Sequence, residues 1–456
     1  MTTLRRTLGF TDLVMLTLGT VIGSGIFLVP GVVLRQTQSW VGVALLVWVV
    51  GGVLSFLGAL TYAELGAMHP DAGGLYSYIR DAFGPLLAFL YGWASFFVIA
   101  SGSVATLAVA FSTYLGQILP VTPLVAKLIS VTVIIVITLI NVRGTRGSAT
   151  VENWATSAKV GALFLLSLAL IAIGHGWHNP GPLWPSSVGP SVFTGAGTAM
   201  IGVLWAYEGW QYVTFSAGET KDPQRVFPRA IVVATFALIV LYVVANIGYI
   251  AALGPAAAAK SDHVAADASR TALGSASGVL LSALVLVSIF SAANGLMMTA
   301  PRLYYSMARD GVFFARLAAV SDRFGTPAAA IVLLAVWSAL LAISGTFEQL
   351  LTYVVFTAWI FYGLGALSIF TSRRKQPEAV RPFRTPGYPI TPILFVASAA
   401  ALVLNTLREQ PSRALIGLGA VVIGTPAFYL WRAHSRRATL SATTVPAVAV
   451  PTDHEG

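Results

Sequence analysis

Cysteine is missing from this chain and charge is scarce. With no cysteine among 456 residues, disulfides, thiolate metal sites and cysteine nucleophiles are all excluded. Charged residues make up 10% of the sequence against 56% hydrophobic, too few to clothe a soluble protein of this length. The short alternating segments of a membrane β-barrel do not dominate either. No Walker loop, dinucleotide fingerprint or clustering of Ser, His and acidic residues into a nucleophile motif is found, so neither an enzyme nor an ATP-driven pump is expected. No cofactor or metal is expected. What the composition leaves is an all-α membrane protein that works on gradients or exchange.

Long apolar runs are abundant. Twelve spans read along the chain, centred near residues 22, 53, 98, 132, 162, 206, 240, 288, 335, 359, 398 and 421. With the N-terminus inside, cytoplasmic loops and tails hold about 20 Lys/Arg and external segments about six, as the positive-inside rule requires. The net charge of +10 therefore reports orientation, with both termini cytoplasmic, and not nucleic-acid affinity. The apolar run after Arg5 and Arg6 is too long for a signal-peptide core, and it reads as the first span. Residues 1–437 form one transmembrane domain in this reading, and the small, polar, Pro-containing stretch 438–456 reads as a disordered cytoplasmic tail.

Two spans interrupt themselves. Residues 9–34 are one apolar run with Gly23-Ser24-Gly25 at its centre, and residues 205–210 (Trp205-Ala206-Tyr207-Glu208-Gly209-Trp210) break a second run. Unpaired backbone in hydrocarbon costs several kcal/mol per group, so a break persists only where protein encloses it or something polar binds. Broken helices at corresponding places in two halves point to a transporter's substrate site. Spans 1–5 (about 9–174) and 6–10 (about 193–371) each open with a broken helix. Five is odd, so if the halves share a fold they are inverted relative to one another. Spans 11 and 12 (about 390–432) follow a basic, Pro-rich loop and fall outside that repeat, as scaffold or dimer contacts.

At the first break, the half-helix starting near Ile26 offers free N–H groups and a positive dipole end to a carboxylate, and the Ser24 hydroxyl adds a donor. The half-helix ending near Val21 and Ile22 offers carbonyls to an ammonium group. Together they suit the α-amino-acid backbone whatever its side chain; the alternative is plain small-residue helix packing. The second break brings carbonyls of Trp205 and Glu208, with Trp205, Tyr207, Trp210 and Tyr212 too deep for an interfacial aromatic belt and placed to roof or gate a pocket. Lys159 lies nine residues into span 5, near the midplane, where an ionisable side chain is functional by default. Glu208 is open to three readings: pairing with a cationic substrate, proton coupling, or solvation within the gap. The segment 68–81 reads as a short interfacial helix with Tyr76 and Tyr78 at headgroup level, and 175–190 as an external lid or connector. His175 and His178 within it have the i, i+3 spacing of a metal pair but no helical context.

Four motifs in order carry a family resemblance: Gly19-Thr20-Val21-Ile22-Gly23-Ser24-Gly25-Ile26-Phe27, Ala206-Tyr207-Glu208-Gly209-Trp210, Glu219-Thr220-Lys221-Asp222-Pro223, and Pro301-Arg302-Leu303-Tyr304-Tyr305-Ser306-Met307-Ala308-Arg309-Asp310-Gly311. The chain resembles the amino acid–polyamine–organocation superfamily over essentially all its spans, and within it the bacterial L-type amino acid transporters. The resemblance implies the leucine-transporter fold, alternating access and an inner (plasma) membrane location. It implies that N–H groups of Ser24, Gly25 and Ile26 hold the substrate carboxylate and carbonyls of Val21, Trp205 and Glu208 its amine. Trp205 would be the gating aromatic, and Trp210 with Gln211 would tune side-chain selectivity. Lys159 would replace the sodium ion of sodium-coupled relatives and bridge span 1 to span 8 near Ser288 and Ser291, which predicts sodium independence. Animal members join a single-span partner through a cysteine in the loop between spans 3 and 4; the corresponding loop here, about 117–123, has none, leaving a monomer or homodimer. The reading is an exchanger of neutral L-amino acids. Its alternatives are a proton-coupled or exchanging carrier of cationic amino acids or polyamines, and an amino-acid sensor of the same fold.

Overall fold

A computed structural model describes residues 4–116, 118–176, 181–345, 347–409 and 411–443. His178 and residues 444–456 lie outside the described residues. The last helix, Pro411–Thr443, runs six residues into the stretch expected to be a disordered tail.

Helices form wherever the apolar runs were read. Span 1 is Phe10–Val21 plus Gly25–Gln36, bent by 48° at the break. Spans 2 to 5 are Val41–Met68, Pro85–Leu115, Pro123–Val142 and Thr145–Ile173. Span 6 is Pro190–Ala206 followed, after a turn, by the 3₁₀ helix Trp210–Glu219. Spans 7 and 8 are Pro223–Leu253 and Ser277–Arg309. Span 9 is Ala328–Ser344, span 10 Phe347–Lys375, span 11 Ile390–Glu409 and span 12 Pro411–Thr443. Among the described residues, nine helices are long and apolar enough to cross a membrane, and ten if the bent pair counts as one span. Several begin with proline at the first turn (Pro85, Pro123, Pro190, Pro223), where a missing N–H costs nothing.

The core is apolar, and so is much of the outer surface. Leu124, Leu128, Leu165, Phe193, Leu280 and Leu430 stand exposed on the outside of the bundle, while Thr17, Glu64, Ser101, Glu152, Thr156, Lys159, Ser288 and Asn294 are buried. That is the arrangement expected when lipid, not water, surrounds the protein and polar groups must find partners inside.

Span 1 packs along span 6, span 2 along span 7, span 3 along span 8 and span 4 along span 9. Spans 11 and 12 stay at the margin: span 11 lies on spans 2 and 10, and span 12 on spans 3 and 10. The bundle end that carries the N-terminus is tied by ion pairs. Asp12 pairs with Arg146 at 2.7 Å, Glu219 with Arg302 at 2.5 Å, Asp310 with Arg80 at 2.7 Å and Glu64 with Arg373 at 2.7 Å. A short parallel bridge between Leu8 and Thr220 adds the N-terminal segment to this seal.

The segment after span 2 forms the helix Leu75–Phe83, but not as an interfacial float. Tyr76 and Tyr78 are buried, and the Tyr76 hydroxyl donates to Asp310 Oδ2 at 2.8 Å. The expectation of headgroup-level tyrosines is thus corrected. Burying the Tyr76 ring is favourable because its hydroxyl keeps an acceptor, whereas the buried Tyr78 hydroxyl has no hydrogen-bond partner among the described residues.

Candidate functional site

Both breaks meet at one place. In span 1 the first half-helix stops at Val21, and the second begins at Gly25 with Ser24 as its cap. In span 6 the helix stops at Ala206, and Gly209 turns the chain with φ +129, a left-handed value that only glycine adopts without strain. The two backbones touch. A Cβ on Gly209 would lie 2.6 Å from the carbonyl oxygen of Thr20, and one on Gly25 would lie 3.0 Å from Ala206 Cα. Thr20 Oγ1 donates to Gly209 O at 3.0 Å, and the Tyr242 hydroxyl reaches both Val21 O at 3.3 Å and Ala206 O at 3.1 Å. Two interrupted helices are therefore stitched to each other and to span 7 at the depth where their own ladders lapse.

A cavity of about 630 Å³, mouth included, opens beside this crossing. Its wall is Thr20, Val21, Gly23, Ser24 and Gly25 from span 1, Trp205, Ala206, Glu208, Gly209 and Tyr212 from span 6, with Ser103, Thr106 and Leu107 of span 3, Ala292 and Leu296 of span 8, and Val354 of span 10. Ser24, Gly25 and Ile26 form the first turn of a half-helix, whose N–H groups have no acceptor one turn back. Opposite them are the helix ends with their carbonyls. Val21 O already accepts from Gly23 N at 2.8 Å and from the Tyr242 hydroxyl at 3.3 Å, and Trp205 O from Glu208 N at 3.0 Å. Positive and negative helix ends thus face one space a few ångströms across.

Lys159 sits behind the wall, completely buried. Its Nζ donates to Gly19 O at 2.7 Å, Ile22 O at 2.8 Å and Ser288 O at 3.4 Å. The Ser288 hydroxyl adds a donor to Ile22 O at 2.7 Å. The ammonium thus neutralises the negative end of the first half-helix and joins spans 1, 5 and 8. Ser291 does not contact it; that hydroxyl goes to Glu152 Oε1 at 2.8 Å and lies 3.0 Å from Thr156 Oγ1.

Glu208 lines the cavity, with Oε1 accepting from the Tyr362 hydroxyl at 3.0 Å and Oε2 buried without a hydrogen-bond partner among the described residues. Tyr212 also lines the cavity and its hydroxyl is likewise buried and unpaired. Four of the substrate-site and gating candidates are not on the cavity wall, Ile26 being wholly buried beside the break. Tyr207 packs edge-on to Trp48 at 5.9 Å and against Tyr242 at 4.9 Å. Trp210 turns away to Tyr62 at 5.2 Å and Phe395 at 5.8 Å. Gln211 folds its Oε1 back onto Gly209 N at 3.1 Å. The turn at Gly209 and the 3₁₀ winding after it rotate these side chains off the face that Trp205 and Glu208 share.

Sequence reasoning passed over Thr20, Ser103, Thr106, Tyr242, Tyr362 and, above all, Glu152. Glu152 was visible as an ionisable residue two helical turns before Lys159, hence on the same face of span 5. The serines and threonines of span 3 gave no signal, because nothing local says which side of an apolar helix looks inward.

An all-helical membrane bundle whose two broken helices meet beside a cavity has the architecture of a secondary transporter. Residues 8–425 match the amino acid permease family, and the chain belongs to it. It is similar to the b(0,+)-type amino acid transporter 1 of Mus musculus, 33% identical over 419 residues, covering 90% of this chain and 84% of the relative. It is also similar to the large neutral amino acids transporter small subunit 2 of Mus musculus, at 31% identity over 94% and 81% of the two chains. A third relative is the cystine/glutamate transporter of Homo sapiens, at 31% identity over 92% and 83%. The chain is thus a multi-pass amino acid transporter and not an enzyme.

Proposed function

We propose that the chain exchanges neutral L-amino acids across the inner (plasma) membrane without sodium. The observation that carries this is the facing pair of half-helix ends at the cavity, with Lys159 fixed on the carbonyls of Gly19 and Ile22. The substrate carboxylate docks on the N–H groups of Ser24, Gly25 and Ile26, and its ammonium on the carbonyls of Val21, Trp205 and Glu208. Trp205, partly exposed on the wall, closes over it as the gate. Lys159 supplies the positive charge that a sodium ion would otherwise bring to the start of the break, with Ser288 completing the bridge to span 8. Selectivity for the side chain falls to Tyr212, Ser103, Thr106 and Val354 on the far wall, in place of Trp210 and Gln211.

Packing of spans 1 on 6, 2 on 7, 3 on 8 and 4 on 9 supports two inverted five-span halves, since a pseudo-twofold axis pairs each element with its equivalent. In that reading spans 6 and 9 also cross, giving twelve spans with both termini cytoplasmic. One relative's name calls it a small subunit; with no cysteine, any partner of this chain would be held without a disulfide. An amino-acid sensor of the same fold is the reading that a lack of transport would leave.

A second reading rests on Glu208 Oε2, a buried carboxylate oxygen without a partner on the cavity wall. It suits a second ammonium group, as in cationic amino acids or polyamines. Uptake of labelled alanine, leucine and arginine into proteoliposomes, empty or preloaded with amino acid, separates the readings. Neutral uptake that requires preloading, and survives replacement of sodium by choline, is the expected result. Arginine uptake that Glu208→Gln abolishes would favour the second reading, and dependence on sodium would overturn the role given to Lys159.

A further inference from the structure

Behind Lys159 lies a polar network that substrate binding does not use. Glu152, 1% exposed, points its carboxylate at the junction of spans 1, 5 and 8. Oε1 accepts from Ser291 Oγ at 2.8 Å and Thr156 Oγ1 at 3.1 Å, and Oε2 accepts from Asn294 Nδ2 at 2.8 Å. Asn294 is held in turn by Asn141 Nδ2 at 2.9 Å, and Ser148 Oγ donates to Asn141 Oδ1 at 2.7 Å. The carboxylate touches span 1 itself: a Cβ on Gly19 would fall 1.8 Å from Oε1.

The kinds of donor around the two oxygens differ. Oε2 faces an amide N–H, which can only donate. Oε1 faces two hydroxyls that also lie 3.0 Å from each other, and a hydroxyl can reverse. With a carboxylate, both hydroxyls donate to Oε1. With a carboxylic acid, the Oε1–H donates to one hydroxyl, whose own hydrogen turns to the other or to the carbonyl one helical turn back. Every polar group stays paired in either state. A carboxylate that never takes up a proton is served as well by donors that cannot reverse, whereas a change of charge state beside such donors would leave a buried group unpaired, at about 1–3 kcal/mol.

The charged group that acts on Glu152 is Lys159, two turns or about 10 Å further along span 5. Span 1 presents Gly19 and Thr20 near it, with Asp12 taken up by Arg146 and Asn153 at the helix start. Span 8 presents Ser291, Asn294 and Gly295, and span 4 presents Asn141, with Arg143 and Lys127 towards its two ends. Span 7 presents Tyr242, whose hydroxyl is engaged on Val21 and Ala206. The short helix Val264–Leu273, which also packs on span 5, carries Asp267 paired with Arg270 and half-exposed.

We propose that Glu152 is a proton-binding site whose occupancy sets the strength of the carboxylate site at the span 1 break. This rests on the amino-acid site proposed above. Lys159 is held by backbone carbonyls alone, so Glu152 is its distant counter-charge. When Glu152 binds a proton at Oε1, one negative charge disappears and the positive field of Lys159 at the break grows. A substrate carboxylate on Ser24 and Gly25 is then bound more tightly, on the order of tenfold for one charge about 12 Å away at an effective dielectric constant near 20. By linkage, substrate binding draws a proton onto Glu152.

The test uses the full chain in detergent. Titration with labelled L-alanine and L-leucine across the acid-to-neutral range should give affinity that rises as pH falls. Glu152→Gln should hold the tight-binding value at every pH, and Ser291→Ala, which leaves one reversible hydroxyl, should displace the midpoint. An unchanged pH profile in Glu152→Gln overturns the proposal. Infrared titration of the protein without substrate is the second arm: a carboxylic-acid carbonyl band that titrates in the wild type and is lost in Glu152→Gln is expected, and a spectrum unaffected by that substitution overturns it. If neither amino acid binds but the band titrates and is lost in the variant, the amino-acid reading fails while the proton site stands.

Discussion

At the scale of the residue, the site is made of backbone more than of side chains. Ser24 is buried, caps the second half-helix and lines the cavity. Ser24→Leu places four carbons in that space, and we expect binding of neutral amino acids to weaken by at least about tenfold, 1.4 kcal/mol, with the thermal unfolding profile preserved. Unchanged affinity would move the substrate away from span 1. Lys159→Ala removes the ammonium from Gly19 O, Ile22 O and Ser288 O and leaves buried carbonyls short of donors, at about 1–3 kcal/mol per group. Exchange should slow by about tenfold or more while equilibrium binding changes less, because the three spans it joins must re-register during the cycle. Wild-type exchange rates in Lys159→Ala would remove it from the mechanism. Where the backbone breaks beside the cavity was legible, since glycine and serine inside an apolar run mark the break; which side chains face the cavity was not, as Trp210 and Gln211 demonstrate.

At the scale of the element, each broken span works only because the other one meets it. Gly209 carries φ +129 and passes within van der Waals contact of Thr20. Gly209→Ala introduces a strained backbone and a Cβ 2.6 Å from Thr20 O, so the two breaks must separate, at a cost of about 1–3 kcal/mol. The expected outcome is folded protein with lowered thermal stability and lost exchange, measured side by side in detergent and in vesicles. Normal exchange would mean that the crossing is not maintained through the cycle. The first break was readable from Gly23-Ser24-Gly25. The second was readable in place but not in its sequel: the 3₁₀ winding of Trp210–Glu219 comes from the tertiary contact with spans 1, 2 and 8, and no local propensity announces it.

At the scale of the whole molecule, the bundle is sealed at the end bearing the N-terminus, while the cavity wall reaches towards the other end through Leu107 and Val354. Glu219 and Arg302 lie at the centre of that seal, each 1% exposed, with Arg302 Nη2 donating also to Thr145 Oγ1 at 3.0 Å. Breaking one side of a buried pair leaves an uncompensated charge, at about 3–5 kcal/mol. Arg302→Leu should lower the unfolding temperature sharply, and the double variant Glu219→Leu/Arg302→Leu should recover most of it. Recovery of stability without recovery of exchange would assign the pair to the gate. A loss in the double variant equal to the sum of the two single losses would mean that the two side chains contribute independently.

Hydropathy and glycine placement were enough to read the environment, the helical class and the place of both breaks. Both are properties that each segment of the sequence carries alone. Only the tertiary structure decided that the two breaks cross, that Lys159 reaches the carbonyls of span 1, that Glu152 is gathered into a network from spans 4, 5 and 8, and that Trp210 faces Tyr62 instead of the cavity. An apolar helix in a membrane can bury any face, and the face it does bury is chosen by its neighbours.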